Sequence, residues 1–259
     1  MKLKLYQIDA FASKVFEGNP AAICPLDGWL DDSVMQNIAM ENNLAETAFF
    51  IKSGEEYDIR WFTPNKEVNL CGHATLASAY VIFNILEEPK ESITFNSKSG
   101  PLHVHKNAEL ITMNFPAESP TLCDTPQAII DAFGKEPVEV LKCVDYIVVF
   151  DDYEDIEQLT PNLQALKTLD LRGVCITAKA KKYDFVSRFF APNYAIDEDS
   201  VTGSAYTQLM PYWSNRLQKM SLHSKQVSPR GGELHCELKI DRVYISGTAV
   251  SYLKAEIEI

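Results

Sequence analysis

What this chain lacks narrows its class before any motif is considered. Its six cysteines, scattered at 24, 71, 123, 143, 175 and 236, include no Cys-x-x-Cys pair. Without such spacing they read as free thiols rather than as a disulfide framework or a structural zinc site. Long apolar runs are absent. The longest, residues 76–86, is interrupted by Ser78 and Asn84 and falls well short of the ~20 residues needed to cross a bilayer. The opening segment contains Asp9, Lys14 and Glu17, so it does not read as a signal peptide, and the expectation is a cytoplasmic protein without a membrane partner. Basic residues are in deficit, 24 against 36 acidic, for a net charge of -12. Lys179, Lys181 and Lys182 form only a short cluster that reads as a solvated turn. This balance argues against a nucleic-acid partner, since such binding depends on Lys and Arg neutralising phosphates. Neither a Walker motif nor a G-x-G-x-x-G fingerprint occurs.

What is present suits one large domain or two small ones in 259 residues. Alternation predicts a strand over residues 3–11, followed by a turn at Gly18-Asn19-Pro20. A helix is expected over 30–43, capped by Asp31 or Asp32, with Val34, Met35 and Ile38 facing inward. Strands are expected at 47–51 and 57–62. Residues 73–86 leave almost no polar face, which predicts a helix buried in the middle of a domain. Strands at 92–95, 102–105 and 110–115 precede a proline-rich connection at 116–120. The halves are therefore placed at 1–117 and 118–259, with return of the last strand to the first half left open. In the second half, helices are expected at 125–133 and 155–165 and strands at 146–150, 173–178 and 184–190. A second buried helix falls within 199–213, and strands including 242–246 and 251–257 close the chain.

The halves repeat one another. Arg60-Trp-Phe-Thr-Pro-Asn65 matches Arg188-Phe-Phe-Ala-Pro-Asn193, and each copy precedes a small-residue segment that opens a helix: Cys71-Gly-His-Ala-Thr75 and Val201-Thr-Gly-Ser-Ala205. Repeats of this length indicate two domains rather than a solenoid. The first N–H groups of a helix lack internal partners, and Gly72 and Gly203 let a ligand approach that backbone. Two such ends would bind a carboxylate and hold the charge of a carbanion-like intermediate.

Asn43-Leu-Ala-Glu-Thr-Ala-Phe49, Glu67-Val-Asn-Leu-Cys-Gly-His-Ala-Thr-Leu76, Glu198-Asp-Ser-Val-Thr-Gly-Ser-Ala205 and the two Arg-aromatic-Phe-x-Pro copies together resemble the phenazine-biosynthesis PhzF-like family. The resemblance runs from Asp9-Ala-Phe11 and Gly18-Asn-Pro20 to Arg230-Gly-Gly232. It implies the α/β (α+β) fold of diaminopimelate epimerase and proline racemase: two pseudo-symmetric halves, each a curled, mostly antiparallel sheet around a central helix, with the site in the cleft between them. It also implies an isomerase without metal or organic cofactor, acting as a homodimer on a small carboxylate-bearing molecule.

Carried over by motif, Glu46 matches the catalytic acid/base, and partial burial among its apolar neighbours would let it hold or release a proton near neutral pH. His73 is expected to bond substrate or shuttle a proton. Asp199 is expected to orient a polar substrate group or to cap the second helix. Gly72, Gly203, Ser204, Cys71, Asn19 and Tyr206 complete the expected substrate-binding set. Cys71 stands near one of the two thiol bases of the epimerases. A helix start would favour its thiolate, but the second half offers no matching cysteine. Ser200 stands where proline is usual in the family and Tyr206 where histidine is usual. His103 and His105 share a strand face without the further ligands a metal needs.

The leading expectation is a cofactor-independent isomerase with Glu46 as general base and acid. The alternatives are an amino-acid racemase or epimerase using Glu46 with Cys71, and a metabolite-binding protein without turnover.

Overall fold

Alternation at the start of the chain gives β1 (Lys2–Ala10) in a computed structural model that describes residues 1–259. β1 lies in the first of two units, residues 1–114 with 246–259; the second unit is 115–245. In the first, β2 (Asn19–Leu26), α1 (Asp32–Asn42), β3 (Glu46–Ser53), β4 (Glu56–Phe62), β5 (Glu67–Val68), α2 (Gly72–Tyr80), β6 (Ser92–Ser97), β7 (Gly100–Asn107) and β8 (Leu110–Pro116) follow in order. The second contains β9 (Thr121–Cys123), α3 (Gln127–Phe133), β10 (Glu139–Lys142), β11 (Tyr146–Val149), α4 (Tyr153–Gln158) and α5 (Leu163–Leu166). It continues with β12 (Val174–Lys179), β13 (Phe185–Ala191), β14 (Ile196–Asp199), α6 (Tyr206–Leu217), β15 (Ser221–Gln226), β16 (Gly232–Lys239) and most of β17 (Arg242–Gly247). β18 (Ala249–Glu258) then returns to the first unit and pairs along the whole of β1.

The sequence shows only a turn where β2 begins, because Pro20 and Pro25 read as strand breakers. The registers explain how both are accommodated. β1 pairs β2 over residues 19–23, and β3 pairs it over 21–26. Each proline therefore sits where β2 has one neighbour, so its missing N–H costs no ladder bond.

α1 is capped through the Asp31 backbone carbonyl, which accepts the N–H groups of Val34 and Met35, rather than through an Asp31 side-chain bond. Met35, Ile38 and Ala39 are its buried residues; Val34 lies at the margin, against a cluster that includes Leu5, Cys24, Phe49 and Phe62. Asn43 takes the left-handed conformation that ends the helix.

The all-apolar segment forms α2, buried from His73 through Ala79 and packed against β1, β2 and β3. Thr75 and Ser78 survive there because their hydroxyls donate to the carbonyls of Cys71 and Ala74, 2.6 and 2.7 Å away. The expected single helix to residue 86 instead relaxes into a π turn, Val81–Ile85, and surfaces at Leu86.

In the second unit the helix expected over 155–165 is two short helices. Pro161 breaks it, and the Asn162 side chain caps α5 by accepting from Gln164 and Ala165 N–H. The second helix start is a 3-10 turn, Gly203–Ala205, that runs into α6.

The duplication extends to strand pairing. β2 and β3 are parallel, β4 pairs β3 antiparallel, and β6 joins β4 in parallel. β11 and β12 are parallel, β13 pairs β12 antiparallel, and β15 joins β13 in parallel. The repeated arginines hold corresponding pins. Arg60 donates through Nε and Nη2 to both oxygens of Glu67 at 2.8 Å. Arg188 does the same to Glu198 at 2.7 and 2.8 Å. Each guanidinium also lies over the aromatic ring two residues on, Phe62 or Phe190. The carboxylates Glu67 and Glu198 stand five residues before Gly72 and Gly203, so each bidentate pair fixes where its helix start falls.

Candidate active site

In the first unit, three side chains surround His73. Gly18 makes the approach of one of them possible. Its φ is +67°, and a Cβ there would lie 2.1 Å from the Ala10 carbonyl oxygen, so only glycine fits. The turn delivers buried Asn19, whose Nδ2 lies 3.3 Å from His73 Nδ1. Glu46 opens β3, paired in register with Ala21, and its Oε2 lies 3.2 Å from His73 Nε2. Cys71, just before α2, places Sγ 3.5 Å from His73 Nδ1.

Asn19 and Cys71 thus both approach Nδ1, while Glu46 faces Nε2. Although Glu46 Oε2 and His73 Nε2 face each other, they are not aligned as a hydrogen bond, and neither buried atom bonds elsewhere in the protein. Each keeps its hydrogen-bonding capacity for another group.

Burial of His73 works against its charged form, whereas negative charge at Cys71 and Glu46 favours it. The neighbours win, and the ring's pKa is held well above its ordinary value. Burial, reinforced by Glu46, pushes the Cys71 thiol up. The expectation of a Cys71 thiolate at a helix start is thereby corrected: loss of hydration outweighs the helix end.

Glu46, Cys71 and His73 each offer an atom of a type that zinc accepts, all within 4.8 Å of one another.

In the second unit, Asp199 ends β14 and accepts the Thr202 hydroxyl at 2.6 Å. Gln226 holds the same corner, donating to the Asp199 carbonyl and accepting Thr202 N–H. Gly203 is buried in the 3-10 turn. Half-buried Ser204 accepts a hydrogen bond from Arg172 Nη1 at 3.1 Å. Sequence reasoning missed Arg172. Its signal was positional: it lies just before the strand equivalent to β3.

The profile of the family described as Phenazine biosynthesis-like protein matches residues 8–255. The chain belongs to the phenazine biosynthesis-like family. An uncharacterized isomerase of Pseudomonas aeruginosa is 48% identical over 259 residues, covering 100% of both chains. The crystal structure of a PhzF-family phenazine biosynthesis protein from Enterococcus faecalis superposes with a TM-score of 0.98 at 47% identity, again over 100% of both chains. A hydroxyproline epimerase from Agrobacterium vitis, at 8% identity and TM-score 0.66 over 99% of this chain and 92% of its own, shares the fold alone. The epimerase-like α/β architecture and the enzyme class, isomerase, are those of this kinship.

Two residues of the expected substrate-binding set, Tyr206 and Asn19, are buried. Tyr206 is fully buried against Phe185, with its hydroxyl 3.3 Å from Ser187 Oγ. Burial pushes its phenol far up, so the residue that replaces the family's usual histidine is a core residue. Asn19 holds His73, which makes it an orienting residue. Ser200, in place of proline, uses its carbonyl to accept the Ser228 hydroxyl at 2.7 Å.

Proposed function

We propose that the enzyme moves a proton on a small carboxylate-bearing metabolite, with Glu46 as general base and acid and His73 as its partner. One observation carries the reading: a buried carboxylate oxygen and a buried imidazole nitrogen lie 3.2 Å apart, and neither bonds elsewhere in the protein. Glu46 takes a proton from a carbon next to a carboxylate or conjugated system, and the electron pair left behind delocalises into that system. The protonated Glu46 returns the proton at another carbon, so the sum is an isomerisation with no net gain or loss of atoms. His73, its charged form favoured by its surroundings, stabilises the negative charge that develops. Each step passes a proton between carbon and a side chain, which supports a cofactor-independent reaction. Gly72, Gly203, Ser204 and Asp199 are proposed to bind the substrate.

The test is proton NMR in D₂O with a panel of unsaturated and α-substituted carboxylates. A converted compound carrying solvent deuterium at the carbon that receives the proton supports the reading. Glu46→Gln is expected to abolish this conversion while remaining folded; full conversion by that variant would sink the proposal.

The Cys71–His73 contact supports a second reading, in which Cys71 returns the proton to the opposite face of the same carbon. Label at a single carbon with inverted configuration would favour it.

A further inference from the structure

The second unit contains a buried ionic network that proton transfer at Glu46 does not use. Asp145 is fully buried, an expensive place for a carboxylate unless every oxygen is matched. Arg172 donates to both oxygens, Nε at 2.8 Å and Nη2 at 2.5 Å. Gln208, also buried, donates through Nε2 to Oδ2 at 2.7 Å, and its Oε1 accepts the Asp145 backbone N–H at 3.0 Å. The guanidinium is further held over the Phe189 ring. A lysine would neutralise Asp145 as well. What the planar fork adds is a third, fixed direction, the Nη1 bond to Ser204 Oγ.

That bond determines what Ser204 can do. A serine hydroxyl has one proton and two lone pairs, whereas a guanidinium can only donate. Arg172 therefore occupies a lone pair, and the Ser204 proton points elsewhere.

The repeat places this contact one residue from the position that corresponds to Glu46. In β3 and β4, Thr47 pairs with Phe62; in β12 and β13, Val174 pairs with Phe190. Because Phe62 and Phe190 each follow the repeated arginine by two residues, Gly173 is the counterpart of Glu46, and Arg172 lies beside it. His73 and Ser204 both follow the glycine of their helix start. The contact of Glu46 with His73 in one unit thus has its counterpart in that of Arg172 with Ser204 in the other.

We propose that Arg172, clamped by Asp145 and Gln208, is a positioning residue that makes the Ser204 hydroxyl a directed hydrogen-bond donor to the substrate carboxylate. The assignment rests on the reading of Ser204 as a substrate-binding residue. It adds the polarity of the contact and the class of group received, an anionic oxygen. An amide carbonyl would accept the same proton without the negative charge that the guanidinium behind the hydroxyl favours.

Benzoate is a suitable probe, because its carboxylate sits on a planar carbon as it would in a deprotonated intermediate. Calorimetric titration of the whole protein should show benzoate bound and benzamide, its neutral counterpart of similar shape, bound at least about tenfold more weakly, about 1.4 kcal/mol. Arg172→Lys should weaken benzoate about tenfold in the native background and less than about twofold when Ser204 is already alanine. A purely structural Arg172 would weaken binding equally in both backgrounds, and that result overturns the proposal, as does a native protein that does not prefer benzoate to benzamide. Should Arg172→Lys fail to fold, the pair Asp145→Asn with Arg172→Met removes the buried carboxylate together with its partner and must show the same dependence on Ser204. Benzoate has no proton to be moved, so its binding is measured apart from turnover. Failure of the isomerase reading and failure of this proposal are therefore separate results.

Discussion

The two units have corresponding pairing schemes and Arg–Glu pins, yet a different side chain meets the residue after the helix-start glycine in each. In the first, Glu46 and His73 approach to 3.2 Å without bonding and keep their capacity for a substrate. In the second, glycine replaces the carboxylate, and Arg172 and Ser204 make a bond that completes an otherwise closed network. A duplicated scaffold has thus kept what positions a helix start and diverged in what stands there. In the reading proposed above, one copy moves a proton and the other holds a charge still.

The comparison can be broken at several points. The largest effect is expected at the mobile side: Glu46→Gln should lower turnover by about 10²–10⁴-fold, read in the deuterium assay, with no comparable loss of stability. Next come the shared pins. Arg188→Met should cost about 3–5 kcal/mol in urea unfolding, because it strands partly buried Glu198 and frees the carbonyls of Ile156 and Leu159, which Arg188 also holds. Arg60→Met should cost less, about 1–3 kcal/mol, since its extra partner, Asp32, is exposed. Equal losses would mean that the two pins are not graded by burial. Gly173→Ala should cost about 1–3 kcal/mol, because its Cβ would stand 2.5 Å from Phe189 Cζ and 2.9 Å from the Phe190 carbonyl oxygen. Gly28→Ala, with nothing within 4 Å, is the matching control. Loss of stability at Gly28 alone would contradict this packing.

The smallest effect is the pH dependence of His73. Its folded-state pKa is raised, so its contribution to stability is full below about pH 6.5, the ordinary histidine value, and is lost as pH rises through the elevated folded value. Native protein should therefore lose part of its advantage over His73→Gln as pH increases. An advantage that grows with pH would reverse the sign.

Much of the first half-site was legible because its motif is local and its chemistry is written in residue types. Glu46, His73 and the buried helix behind them follow from a handful of letters and a run of apolar residues. The second half-site was less so. Arg172, Asp145 and Gln208 come from three separate segments, and only strand register brings them together; nothing near Arg172 in the sequence marks it as more than a surface cation. β2 was hidden for a related reason. Each of its prolines is harmless only because of how far its neighbouring strands extend, which no local pattern records. Tyr206 shows the opposite limit: family position suggested a ligand contact, and side-chain volume turned the phenol into the core.

The return of β18 to pair along β1 sets an order of events during synthesis. Residues 115–245 can complete their own hydrogen-bonded framework while the end of the chain is still in the ribosome. The unit that carries Glu46 and His73 cannot, because its last strand is made last. Domains generally fold as they emerge, so residues 115–245 are expected to mature before the first unit, although most of that unit is translated earlier. Completion of the unit that holds Glu46 and His73 thus waits for β18, without which β1 would lack one of its two neighbouring strands.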